Sequence, residues 1–81
     1  MTPVNVPDAV RQALLSVVPD ADLDRLDPDA DLRDELGLDS LDFLNFVEGL
    51  SERTGCRIDE DDYDRLDTLD ACVSFLSRQL A

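Results

Sequence analysis

The sequence contains no histidine, no lysine and no tryptophan. The lack of histidine excludes a Ser-His or Cys-His catalytic pair and most zinc sites, because imidazole is the usual base in the first two and a usual ligand in the third. The two cysteines, Cys56 and Cys72, are too few for a disulfide framework and lack the spacing of a metal site. We therefore expect two free thiols and no bound metal.

The absence of lysine leaves seven arginines against twenty acidic residues, which gives a formal net charge of -13. A surface of that sign repels nucleic-acid phosphates and anionic lipid, and it attracts basic protein surfaces. We expect protein partners with basic docking patches and no nucleic-acid partner.

Long apolar runs are absent too, and the first ten residues, MTPVNVPDAV, lack the basic and apolar regions of a secretory signal. These absences predict no membrane span and a cytoplasmic location. With 81 residues, 43% of them hydrophobic, the chain is expected to form a single compact domain over residues 1–81. A domain of this size has little room for an enclosed catalytic cleft, which disfavours an enzyme.

What the sequence does have is apolar residues at helical spacing in three segments, and no segment alternates with the period of a strand. The first helix is predicted over residues 7–18. The second is predicted from residue 39 or 40 to residue 54, with Gly55 as its stop. The third begins after Thr68, its N-cap, and its apolar residues are Leu69, Cys72, Val73, Leu76 and Leu80.

Between these segments, residues 60–66 (EDDYDRL) are predicted to form at most a short helix, anchored by Ile58 and Leu66. Residues 19–38 form a long loop whose spaced leucines predict that it packs against the core, with a short turn over residues 31–36. The predicted fold class is all-α. It is a small four-helix bundle with three main helices, one short helix and a long loop between the first two main helices.

The second helix has more apolar residues than one face can bury. A helical wheel places four of them on the core face: Phe43, Phe46, Val47 and Leu50. Leu41 and Leu44 fall outside that face, on the side of Glu48 and Glu52. Either loop residues cover these two leucines, or they form the apolar centre of a docking site for a basic partner.

Ser40 lies at the start of the same helix, between Asp39 and Asp42 in the sequence LDSLD. It could be the N-cap, although Asp39 could do this equally well. As an enzyme nucleophile it has no histidine base to activate it. The free N–H groups and positive dipole of a helix N-terminus do favour a phosphate ester there, partly opposed by the two aspartates.

The stretch LGLDSL, residues 36–41, resembles the signature of the acyl carrier protein family, and the order of predicted helices resembles that family over essentially the whole chain. The resemblance implies that Ser40, flanked by Asp39 and Leu41, receives 4'-phosphopantetheine from coenzyme A through a phosphopantetheinyl transferase. The thiol of that group would hold acyl intermediates as thioesters for fatty-acid or polyketide-type biosynthesis. The chain would then be a monomeric carrier, not an enzyme, and it would dock to acyl-loading, condensing or acyl-transferring enzymes. The partner-binding residues that the resemblance implies are Asp42, Leu44, Glu52, Glu60, Asp61 and Asp64, and the helical wheel adds Glu48.

Several positions differ from the pattern of fatty-acid carriers. Asn45, Glu48 and Ser51 change the recognition face, and Thr54 stands where a large apolar residue often closes the helix. Phe43 and Phe46 are bulkier than the residues that the family usually has on the core face. They predict little room for an acyl tail between the helices, and therefore a short or polar cargo.

Three other functions remain to be weighed. Residues 20–31 place aspartates at positions 1, 3 and 5 of a calcium loop, but Arg25 replaces the glycine and Asp31 the glutamate that such a loop needs. A peptidyl or aminoacyl carrier usually has Gly-Gly before the attachment motif, whereas Leu38 follows Gly37 here. A non-carrier acidic interaction module is supported by charge alone.

Overall fold

A computed structural model describes residues 5–80 of the chain. In that range it contains four α-helices and two 3-10 helices, and no strand. The α-helices are Val6–Val17 (α1), Leu32–Leu36 (α2), Ser40–Thr54 (α3) and Leu69–Leu80 (α4), and the 3-10 helices are Leu23–Arg25 and Glu60–Leu66. The all-α prediction is confirmed, with α1, α3 and α4 as the three main helices.

The helix ends follow from local capping. Asn5 is the N-cap of α1, where its side-chain oxygen accepts a hydrogen bond from the Asp8 N–H at 3.0 Å, so this helix begins one residue earlier than predicted. At the end of α3, Gly55 adopts a left-handed conformation with φ 72°, and its N–H donates to the Ser51 carbonyl. Both the start and the end predicted for α3 are confirmed.

The core lies between α1 and α3, with α4 packed against α1 and the second 3-10 helix. All four residues predicted on the core face of α3 are buried. In α4 the prediction was partly wrong, because Phe75 is buried at 5% exposure whereas Leu80 is 43% exposed. Cys72 and Leu76 fix the buried face of α4, and Phe75 lies on it next to Leu76, while Leu80 is in the last turn, beyond the packed region.

The long loop packs down as predicted. Leu23, Leu32 and Leu38 are buried, and residues of the loop are also hydrogen bonded to the segment that leads into α4. The Leu32 N–H donates to the Asp67 carbonyl at 2.8 Å, and the Asp70 N–H donates to the Pro28 carbonyl at 3.2 Å. These contacts hold α2 in place, directly before the start of α3.

Candidate functional site

Ser40 is the first residue of α3, and it is exposed. The N-cap is Asp39, whose Oδ1 accepts a hydrogen bond from the Asp42 N–H at 2.8 Å, while Asp42 Oδ2 lies 3.5 Å from the Asp39 N–H. This reciprocal arrangement is a capping box. Asp39 rather than Ser40 is therefore the cap, and no hydrogen bond among residues 5–80 involves Ser40 Oγ.

The backbone before Ser40 is fixed at two points. Gly37 ends α2 in a left-handed conformation with φ 66°, which favours glycine, and the Leu38 N–H donates to the Arg33 carbonyl at 3.0 Å. Leu38 is also buried, at 7% exposure. The chain is thus anchored two residues before Ser40, and the hydroxyl is held at the surface by ordered backbone.

The α3 surface next to Ser40 is apolar at its centre and acidic around it. Leu41 is 66% exposed and Leu44 is 41% exposed, so the described loop does not cover them. Glu48 and Glu52 are exposed on the same helix, whereas Asp42 is half-buried and engaged in the cap. An exposed apolar centre within an acidic rim suits a partner that has both apolar and basic groups.

The second 3-10 helix adds further acidic side chains. Glu60, Asp61 and Asp64 are exposed on it, and it begins with a capping box between Asp59 and Asp62. The Tyr63 ring packs edge-on against Phe43 of α3, with 5.7 Å between ring centroids. This contact joins the acidic 3-10 helix to the N-terminal half of α3 at Phe43, three residues after Ser40.

Three aspartates at the candidate ligand positions of the rejected calcium loop have other partners. Asp24 pairs with Arg11 at 3.0 Å, and Asp22 pairs with Arg25 at 3.3 Å. Asp31 Oδ1 is the N-cap acceptor of α2. Within residues 5–80 no group of three or more acidic or cysteine side chains is placed to hold a metal ion.

Comparison with known proteins identifies the family. The model of the family described as "Phosphopantetheine attachment site" matches residues 8–76, a range that includes Ser40 and the surface around it. The chain belongs to this family, that of the acyl carrier proteins. Its cofactor is therefore 4'-phosphopantetheine.

Individual acyl carrier proteins show the same likeness. The acyl carrier protein of Streptomyces coelicolor is 31% identical over 74 residues, which cover 91% of this chain and 80% of that protein. Acyl carrier protein 2, mitochondrial, of Arabidopsis thaliana is 34% identical over 71 residues, covering 84% of this chain and 56% of that longer protein. A solution structure assigned to an acyl carrier protein of Anaplasma phagocytophilum superposes with a TM-score of 0.77 at 26% identity, over 96% of this chain and 92% of that one.

Two residues of this acyl carrier protein that sequence reasoning missed lie beside the site. Tyr63 packs on Phe43, as described, and the Arg33 guanidinium carbon lies 4.1 Å from the centroid of the Phe43 ring. Neither contact has a sequence signal of its own, because Arg33 and Tyr63 come from elements that only the tertiary fold brings together.

The two cysteines of the carrier are free and buried. Burial, with a smaller contribution from the charge of Asp67, raises the pKa of the Cys72 thiol to about 12. Its Sγ lies 3.4 Å from the Leu66 carbonyl, to which the thiol donates. A buried thiol of this kind is unsuited to nucleophilic chemistry. No helix within the described range has both the length and the apolar character that crossing a membrane requires.

Proposed function

We propose that Ser40 is the residue to which 4'-phosphopantetheine is attached, and that residues 1–81 act as a single monomeric carrier domain and not as an enzyme. The observation that carries the proposal is the exposed Ser40 hydroxyl at the N-terminus of a 15-residue helix, left free because Asp39 caps the helix. The free N–H groups of the first helical turn favour the phosphate that would be attached there. Asp39 and Leu41, the residues before and after Ser40, would contact the transferase directly.

Attachment would be a phosphoryl transfer from coenzyme A. The Ser40 oxygen forms a bond to the phosphorus next to the pantetheine, the pyrophosphate P–O bond breaks, and adenosine 3',5'-bisphosphate leaves. The serine proton would go to a base on the phosphopantetheinyl transferase, because this chain has no histidine and the Asp39 carboxylate beside Ser40 is engaged in capping α3. When attached, the group supplies a thiol that holds acyl groups as thioesters.

The partners would be the transferase and the acyl-loading, condensing or acyl-transferring enzymes of fatty-acid or polyketide-type synthesis. Leu41 and Leu44 would supply the dehydrated contact area, and the surrounding acidic groups would orient the complex. Those groups are Asp42, Glu48, Glu52, Glu60, Asp61 and Asp64. The net charge of -13 supports enzymes with basic docking patches. Two free buried cysteines support a reducing compartment such as the cytoplasm.

Intact mass measurement after incubation with coenzyme A and a phosphopantetheinyl transferase tests this proposal. The wild-type chain should gain one phosphopantetheine, and Ser40→Ala should gain none. Ser74→Ala is the matched control, because Ser74 is also an exposed helical serine, and it should be modified like the wild type. The assignment of Ser40 would be overturned if Ser40→Ala were modified. It would also be overturned if several phosphopantetheinyl transferases modified neither the wild type nor any variant.

A further inference from the structure

Phe43 and Phe46 of α3 and Tyr63 of the second 3-10 helix form an aromatic cluster. The Phe43 and Phe46 ring centroids are 6.2 Å apart, and the Phe43 and Tyr63 centroids are 5.7 Å apart with the rings nearly perpendicular. Phe43 is 2% exposed and Phe46 is fully buried. Phe43 follows Ser40 by three residues, so the cluster begins within one helical turn of the hydroxyl.

Arg33 closes the outer side of this cluster. Its guanidinium carbon lies 4.1 Å from the Phe43 ring centroid, the geometry of a cation–π contact. Arg33 is held by its own backbone, because its N–H donates to Asp31 Oδ1 and its carbonyl accepts from the Leu38 N–H. The ring of Phe43 is therefore contacted by Tyr63 and by the guanidinium of Arg33, whose backbone is fixed.

What remains open at this place is a polar cleft of about 290 Å³ outside the core. It is lined by Asp31, Arg33, Phe43, Tyr63, Asp64 and Asp67. Four of these six side chains are charged, so an alkyl chain in the cleft would lie beside charged groups.

We propose that Arg33, Phe43 and Tyr63 keep the acyl cargo out of the core and so determine which cargo this carrier suits. The inference rests on the proposed attachment at Ser40. An apolar chain on an arm at Ser40 would leave water most readily by entering the nearest apolar volume, which is the core beside Phe43. That volume is already packed. An acyl chain could enter it only if the Phe43 and Tyr63 rings separated and the Arg33 guanidinium moved off the Phe43 ring. Short or polar acyl groups gain nothing from such entry, so the closed cluster favours them over long alkyl chains.

The wild-type protein itself gives the first test. The arm is loaded on Ser40 with a series of hydrolysis-resistant amide-linked groups, acetyl, butyryl, hexanoyl and octanoyl, and loading is checked by mass. We expect the melting temperature to stay within about 1 °C across the series. We also expect no nuclear Overhauser contacts between the acyl methylenes and Phe46 or Leu50. A melting temperature that climbs with chain length, together with such contacts, would overturn the proposal.

Substitution of Tyr63 gives the second test. Tyr63→Ala removes one wall of the cluster, and the octanoyl form should then melt at least about 3 °C above the acetyl form and show contacts to Phe46. Tyr63→Phe keeps the ring and should behave like the wild type. If Tyr63→Ala melts equally with both groups and shows no contacts, the cluster is not what excludes the chain, and the proposal is wrong.

A failure of attachment at Ser40 can be told apart from a failure of the closure, by which we mean the exclusion of the acyl chain from the core by Arg33, Phe43 and Tyr63. If mass measurement finds no arm on Ser40, the proposed function fails, and the closure is judged on the unmodified chain with free octanoyl-pantetheine. Chemical shifts of Phe46 and Leu50 should stay unchanged in the wild type and move in Tyr63→Ala. Shifts in the wild type, or in neither protein, would contradict the closure. An unfolded Tyr63→Ala would leave the wild-type measurements to decide.

Discussion

At the scale of single residues, Thr54 shows how a polar side chain is accommodated in the core. It is 6% exposed at the end of α3, where its hydroxyl donates to the Leu50 carbonyl at 2.7 Å and accepts from the Cys56 N–H at 3.2 Å. Thr54→Val removes the hydroxyl and leaves the buried Cys56 N–H unpaired, which should lower the free energy of unfolding by about 1 to 3 kcal/mol.

Urea unfolding measures the effect, with Thr54→Ser as the control. Serine keeps the hydroxyl and loses one methyl group, which costs about 1 kcal/mol. If valine were as stable as threonine at this position, the hydroxyl would not be needed to satisfy the backbone.

Cys72 makes stability depend on pH at the alkaline end. Burial first, and the Asp67 charge second, raise the pKa of its thiol from 9.0 to about 12. The unfolded chain therefore releases this proton at lower pH than the folded chain does. The contribution of the thiol to the free energy of unfolding is complete below pH 9 and is lost progressively as pH rises to about 12.

Urea titrations at a series of pH values measure this slope. Cys72→Ala should show a shallower fall in unfolding free energy above pH 9 than the wild type, because all other titrating groups are shared. Equal slopes in the two proteins would mean that the thiol titrates alike in the folded and unfolded chains.

At the scale of the helices, α1 and α3 approach closely at Gly49. A Cβ at this position would lie 3.5 Å from the Ala13 Cβ and 3.4 Å from Arg53 Nη1, which are ordinary contact distances. Because glycine within a helix is unfavourable relative to alanine, Gly49→Ala should raise the free energy of unfolding by about 0.5 to 1 kcal/mol.

Gly55→Ala is the contrasting change, since φ 72° places Gly55 in the left-handed region. Alanine there should lower the free energy of unfolding by about 1 kcal/mol. Thermal and urea unfolding measure whether each substitution raises or lowers the free energy of unfolding. Destabilisation by Gly49→Ala would show that there is no room for a methyl group between α1 and α3.

The outer face of α3 supports a prediction about docking. Leu41→Ala and Leu44→Ala remove exposed apolar area at the centre of the proposed docking surface, so each should raise the KM of the transferase about 5- to 10-fold. The melting temperature should change little, because neither side chain belongs to the core. Leu80→Ala is the matched control, since Leu80 of α4 is 43% exposed, close to the 41% of Leu44. A change in KM from Leu80→Ala as large as that from Leu44→Ala would argue against a specific surface on α3.

The helices could be predicted from the sequence more completely than the contacts between them. The start of α3 at Ser40 and its stop at Gly55 are local effects of capping and of left-handed glycine, and the inward face follows from the helical period. The choice between Ser40 and Asp39 as cap depends on side-chain rotamers, and only the structure decided it. The Arg33–Phe43–Tyr63 contact joins three separate elements, so no local pattern could predict it.

At the scale of the whole molecule, the net charge of -13 is only weakly offset by ion pairs. Within residues 5–80 three are formed, Arg11–Asp24, Arg25–Asp22 and Arg57–Asp59, and all six side chains are substantially exposed. Such pairs contribute little, whereas repulsion among the acidic groups acts over the whole surface. The folded state should therefore be strained by its own charge.

Added salt should for this reason raise the melting temperature. Going from about 0.01 M to about 0.1 M NaCl shortens the screening length from about 30 Å to about 10 Å, which weakens repulsion across the molecule more than it weakens the short ion pairs. Calorimetry over this range should give a steady increase, and KCl should give the same curve, because screening depends on ionic strength and not on the identity of the cation. A melting temperature that falls, or that stays flat, would mean that attractive pairs outweigh the repulsion. The same screening should slow docking to a basic transferase, so stability and association rate are expected to move in opposite directions as salt is added.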